Sequence, residues 1–147
     1  MKKFSWPLQR LLDVTAQRES AARAALFALA HAMVALRGQM AVLASRRRDL
    51  LDDLARDDIA RRLARQEFVM AAADALTGQW RERDAQWNEL AARKKNKMTE
   101  LTRHRTRRQL LEKLRERALA AWRNETLRQE QTQLDEAANI AFTRRSS

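Results

Sequence analysis

Positions spaced alternately four and three residues apart, from Leu8 onward, are apolar at eleven of fourteen steps. The series runs Leu8, Leu12, Thr15, Glu19, Ala22, Leu26, Leu29, Met33, Leu36, Met40, Leu43, Arg47, Leu50 and Leu54. A repeat averaging 3.5 residues draws one narrow apolar seam along a helix, and that seam has to face another helix. A chain patterned this way folds mostly as coiled coil and is expected to act by shape and contact rather than by chemistry.

Composition agrees. Two glycines and one proline in 147 residues leave little turn chemistry. Tyrosine is absent and valine and isoleucine are rare, which argues against sheets. Ala, Leu, Arg, Glu and Gln dominate, and all are good helix formers. With 33% charged and 5% aromatic residues the chain is too polar for a thick core but suits a long thin hairpin. The sequence therefore predicts an all-α fold: a single domain built as a two-helix antiparallel coiled-coil hairpin.

The first helix is expected over about residues 6–55, with Ser5 as cap and Pro7 in its first turn. After Leu54 the phase slips. A second seam runs Ile59, Leu63, Gln66, Met70, Ala73, Thr77, Trp80, Asp84, Trp87, Ala91, Lys94, Met98 and Leu101, apolar at nine of thirteen steps. A slip between two seams marks a reversal near residues 55–58, with Asp57 or Asp58 capping the second helix. Folded about that turn, Leu26 is expected near Trp87 and Leu54 near Ile59. A competing turn lies at residues 75–80, where Gly78 could end a helix. The second seam crosses Gly78 without a break, which favours the earlier turn. The second helix is expected over about 58–141, on the order of 120 Å long, followed by a disordered tail at 143–147. Beyond Leu101 it is polar on most sides, so it is either solvated or stabilised by a partner.

Nothing points to catalysis. The two histidines, His31 and His104, stand apart, and no spacing suits a metal. His31 is expected to be a partly buried coiled-coil residue. Two glycines cannot build a phosphate loop, and no serine has a base nearby in sequence. No cofactor is expected. The absence of cysteine excludes disulfides and suits a reducing cytoplasm. No signal peptide is visible. Residues 24–36 carry no charge but are too few to span a bilayer.

The formal net charge is +11. A basic patch gathers Arg93, Lys94, Lys95, Lys97, Arg103, Arg105, Arg107 and Arg108. Such a block attracts nucleic acid, acidic lipid or an acidic protein surface. Its cations surround the helix, however, and no aromatic is interleaved for base stacking. Heptad steps from Leu111 reach Ala118 and Glu125, which is no zipper. The preferred reading is a solvated helix surface, with nucleic acid as the alternative partner. Trp80 and Trp87 read as seam packing. Trp122, in the polar stretch, reads equally as packing or as a partner anchor.

The opening Phe4-x-x-x-Leu8-x-x-Leu11-Leu12-Asp13, followed by Glu19, resembles the start of FliJ-type flagellar export proteins. The closing stretch resembles that family more closely: Leu111-Glu112-Lys113-Leu114-Arg115-Glu116-Arg117, then Trp122, Glu125, Arg128, Glu130-Gln131 and Leu134-Asp135-Glu136-Ala137. The resemblance covers nearly the whole chain. It implies a soluble, non-enzymatic component of the flagellar type III export apparatus, similar in shape to the coiled coil of a rotary-ATPase γ subunit. It also implies insertion into a hexameric export ATPase, reach toward the large membrane subunit of the export gate, and handling of export chaperones. Injectisome stalks are a cousin group. By the same resemblance, ATPase contact falls to Arg115, Arg117, Trp122, Arg123, Glu125, Arg128, Glu130, Asp135 and Glu136. Gate contact falls to Phe68, Ala72, Ala75 and Gln79, which stand at four-three-four spacing. Phe68 lies off the seam and is expected to be partly exposed, whether as a contact or as cover for the coil's flank. The chain would sit in the cytoplasm, peripheral to the inner membrane. It lacks the family's usual glycine-containing break between helices, and its basic block is unusually dense.

Overall fold

A computed structural model describes residues 3–146. Two helices account for nearly all of it: α1 (Gln9–Arg56) and α2 (Ile59–Arg145). They pack against each other as an all-α helical hairpin, and among the described residues there is no strand.

The helix ends follow local chemistry. A turn over Trp6–Gln9, in which Gln9 N–H donates to Trp6 O at 3.1 Å, precedes α1 and places its start past Ser5. The chain reverses at Asp57 and Asp58. Asp58 is the cap of α2: Arg61 N–H donates to its Oδ1 at 2.8 Å. Arg62 and Arg65 then reach back across the turn, to Ala55 O at 2.7 Å and to Asp57 Oδ2 at 2.6 Å. Three arginine and aspartate contacts thus hold a reversal that has no glycine. Gly38 and Gly78 both lie inside helices, and neither has a positive φ. At the far end α2 continues to Arg145, past the stop at 141 and into the tail read as disordered. No helix breaker stands there, and Thr143 Oγ1 donates to Asn139 O at 2.8 Å.

Contacts gather into two units. One joins the N-terminal segment through Glu19 to the chain from Thr102 onward; the other is Ser20–Leu101.

In the second unit, Ala22, Leu36, Leu43 and Leu54 of α1 are buried, as the first seam predicts. Leu26, Leu29, Met33, Met40 and Leu50 are half-buried. The facing side of α2 uses Val69, Ala73, Leu76, Trp80, Arg83, Trp87, Leu90, Lys94, Lys97 and Leu101, again at four-three steps. Five of these are seam positions read from the sequence; Leu76, Arg83 and Leu90 are half-buried together with the seam positions Thr77, Asp84 and Ala91 beside them, and only at Val69 and Lys97 does burial move one residue earlier. Val69 is 1% exposed where Met70 is 43%, and Lys97 is half-buried where Met98 is 48% exposed. The sequence pattern prefers Met to Lys at a seam. A lysine stem lies along an apolar surface with its ammonium in water, so the geometry does not share that preference.

The pairing level also differs from the one expected. Trp87 lies under Arg37, whose guanidinium carbon is 5.9 Å from the ring centroid, and it shares a groove with Met40 and Ala44, not Leu26. The cause is the start of α2: residues 59–68 are all exposed, with Ile59 at 77% and Leu63 at 70%. Packing begins at Val69, which moves every later partner along α1. His31 is exposed and sits edge-on to Phe27 at 5.7 Å, on the side of α1 away from its buried face. The partly buried histidine expected there is absent.

In the first unit Leu12, Thr15, Glu19 and Leu111 are buried. Phe4 meets Trp122 with ring centroids 5.8 Å apart, and Gln9 meets Arg115. In each unit rising numbers on one helix meet falling numbers on the other, so the pairing is antiparallel.

Candidate functional site

Three surfaces carry the chemistry that the sequence singles out. The first lies at the C-terminal end of α2, in the first unit. Trp122 is half-buried against Phe4, and that packing within the chain accounts for it. Arg115 is fixed from two sides: its Nε donates to Gln9 Oε1 at 2.8 Å, and its guanidinium stands 5.8 Å from the Phe4 ring centroid. Arg117, Arg123, Glu125, Arg128, Asp135 and Glu136 are exposed, and Glu130 is half-buried. Every residue from 131 to 146 is exposed. Four large apolar side chains stand among them or just before: Leu127 at 62%, Leu134 at 67%, Ile140 at 56% and Phe142 at 74%. Leu134, Ile140 and Phe142 were not among the residues singled out from the sequence as contacts, although they stand beside charged ones.

The second surface is at the start of α2, in the second unit. Phe68 is 77% exposed, Ala72 is half-buried, and Ala75 and Gln79 are exposed. Ile59 and Leu63 are also exposed and share one side of α2, whereas Phe68, two and a half turns beyond Ile59, lies on the opposite side with Ala72, Ala75 and Gln79.

The third is the basic block, and the structure divides it. Lys94, Lys97 and Arg108 are half-buried on the inner side of α2. Arg93 pairs with Glu89 at 2.7 Å and Lys97 with Glu100 at 2.9 Å. Lys95, Arg103, Arg105 and Arg107 are exposed. A uniformly solvated surface is therefore not what forms.

Arg108 belongs to a cluster that the sequence does not announce. Its Nε donates to Glu19 Oε2 across the helix pair, and one of its terminal nitrogens donates to Glu112 Oε1 at 2.8 Å. Arg105 Nε lies 3.7 Å from Glu19 Oε1. The Glu19 side chain is 5% exposed, so a carboxylate occupies a buried seam position and is neutralised there. The hydrogen bond to Glu19, then that to Glu112, raises the Arg108 pKa above the ordinary arginine value. A raised basic pKa gives stability that is present throughout neutral pH and lost only in strong alkali. The signal in the sequence was a glutamate within the first seam. The second seam ends at Leu101, so periodicity does not match Arg108 to it.

Buried polar atoms are satisfied elsewhere too. Thr15, 3% exposed, donates its hydroxyl to Leu11 O at 2.7 Å. Among the described residues no group of three or more His, Cys, Asp or Glu side chains could hold a metal ion.

Fold and surfaces together define an all-α helical hairpin whose features are exposed apolar and charged surfaces. Residues 3–147 match the family model described as "Flagellar FliJ protein", and the chain belongs to that family. The family is a structural component of the flagellar export apparatus, which lies on the cytoplasmic side. No curated protein and no solved structure matches the chain in the same comparisons.

Proposed function

We propose that this chain is the stalk of the flagellar type III export ATPase. It inserts into the hexamer, promotes its activity, links it to the large membrane subunit of the export gate, and handles export chaperones. The observation that carries the reading is the C-terminal end of α2. From residue 123 onward the helix has almost no cover, and it mixes Leu127, Leu134, Ile140 and Phe142 with both signs of charge. An uncovered helix with exposed apolar side chains suits docking, and such anchors among charges fit a polar pore better than a uniformly apolar stalk would. Arg123, Glu125, Arg128, Glu130, Asp135 and Glu136 supply the main ATPase contact, with Arg117 at its edge, while Arg115 and Trp122, held by Gln9 and Phe4, anchor the base of the docking segment. Phe68, with Ala72, Ala75 and Gln79, supplies the gate contact and places the protein at the membrane periphery.

Pull-down against the organism's own export ATPase, with ATP hydrolysis followed as the chain is added, tests this. Binding with raised hydrolysis is expected, and a chain ending at Trp122 is expected to keep its helical pairing but lose both. No binding and no change in hydrolysis by the full chain would sink the reading. A nucleic-acid role draws less support, because Lys94, Lys97 and Arg108 are half-buried and Arg93 is paired.

A further inference from the structure

Residues 4–19 hold to the base of α2 by a chemistry that the rest of the hairpin does not use. Among the described residues, every buried side chain of the second unit is apolar, whereas the first unit buries Thr15 and Glu19 beside Leu12 and Leu111. Thr15 gives its hydroxyl to Leu11 O inside α1, so that bond does not join the helices. The joining falls to two arginines. Arg108 holds Glu19; Arg115 holds Gln9 at 2.8 Å and stands 5.8 Å from the Phe4 ring centroid. The two arginines are seven residues apart, two turns along the inner side of α2. Phe4 rests in turn on Trp122, and past Trp122 the helix is almost uncovered.

Such a hold is exchangeable. A buried ion pair adds little net stability, and any carboxylate of suitable reach can take the place of Glu19 on Arg108. Ordering Gln9–Glu19 costs conformational entropy that one buried leucine on this segment offsets poorly. We infer that residues 4–19 are a releasable strap, an autoinhibitory contact that the partner of the C-terminal end of α2 displaces by offering carboxylates to Arg115 and Arg108. The inference rests on the stalk reading, in which that partner is the ATPase hexamer.

Displacement has an order set by the chain. The partner docks first on the uncovered helix past Trp122. Phe4 then leaves Trp122, Gln9 leaves Arg115, and Glu19 leaves Arg108. Each step opens more of the inner side of α2, until Leu111, Ala118 and Trp122 face the partner together with both arginines. Release ends there, because the next buried position, Ala22, is apolar and belongs to the second unit. Arg115 and Arg108 stand about 45 and 56 Å from the helix end at Arg145, so the acidic lining of the partner lies at those depths.

Hydrogen exchange of the full chain tests release without any partner. Amides of residues 9–19 and 104–119 are expected to open together, with roughly tenfold less protection than those of residues 36–54. Equal protection along α1 overturns the inference. Binding to the export ATPase tests displacement. The chain has no cysteine, so Ala16→Cys with Gln109→Cys sets two thiols beside the Glu19–Arg108 pair for a short bismaleimide to join. The joined chain is expected to bind roughly tenfold more weakly than the same chain unjoined, because the competent state is withheld. Phe4→Ala with Gln9→Ala loosens the strap and leaves α2 untouched; it is expected to bind about threefold more tightly. Equal binding by joined and unjoined chains, or weaker binding by the loosened chain, overturns the displacement. Failure of every form to bind counts against the stalk reading alone, since exchange judges the strap by itself.

Discussion

At the scale of single residues, Glu19 is the informative one. A carboxylate at 5% exposure is tolerable only because Arg108 and Arg105 reach it from α2, and Glu112 completes the set on Arg108. The pair is strongest evidence for register, since it fixes which turn of α2 faces the start of α1. Removing one side should hurt more than removing the charge. Arg108→Leu removes the nearest cation from a buried carboxylate, leaving Arg105 at 3.7 Å, and is expected to lower Tm by about 5 °C. Glu19→Leu puts an apolar side chain on the seam and should leave Tm unchanged or higher, at the expense of register. Thermal melting by circular dichroism separates the two, and equal losses would show that Glu19 acts only by packing. The seam reading made Glu19 visible as an anomaly. It could not name Arg108, because periodicity gives the face of one helix and not the partner level on the other.

At the scale of elements, α1 and α2 differ in how much of their length is covered. Inner-side burial on α2 begins at Val69, and past Trp122 only Thr126 and Glu130 are even half-buried. Helical hydrogen bonds in uncovered stretches open locally, so amides of residues 59–68 and 131–145 should exchange fastest within α2. Hydrogen exchange resolved along the chain checks this, and uniform protection would mean that helix propensity alone holds those turns. Gly78 tests the interior. It sits in α2 with ordinary helical φ, and an added Cβ has nothing within 4 Å. Gly78→Ala is expected to stabilise by about 0.5–1 kcal/mol and raise Tm by a few degrees. A loss instead would mean that something approaches Gly78 closely. Element type was legible in the sequence, since helix formers and four-three spacing leave few alternatives. The last turns of α2 were not, because a polar tail without breakers reads equally as helix or coil.

At the scale of the molecule, charge dominates behaviour. A net +11 favours non-specific association with polyanions whatever the true partner is. Binding to duplex DNA at 50 mM salt should therefore fall by orders of magnitude by 200 mM and show no preference for sequence. Fluorescence anisotropy across a salt series checks this. Tight binding that survives high salt would reopen the nucleic-acid reading.

The apolar period, the scarcity of glycine and proline, and the closing run from Leu111 to Ala137 determined the fold class and the family without any coordinates. Each is a property of neighbouring residues, which a linear chain displays. The level at which the helices meet, the choice of Val69 over Met70, the burial of Glu19 beneath Arg108, and the exposure of His31 were decided only in the tertiary structure. These depend on how far α2 runs before it packs. That distance is set by side chains on two helices at once, so no periodicity within one of them records it.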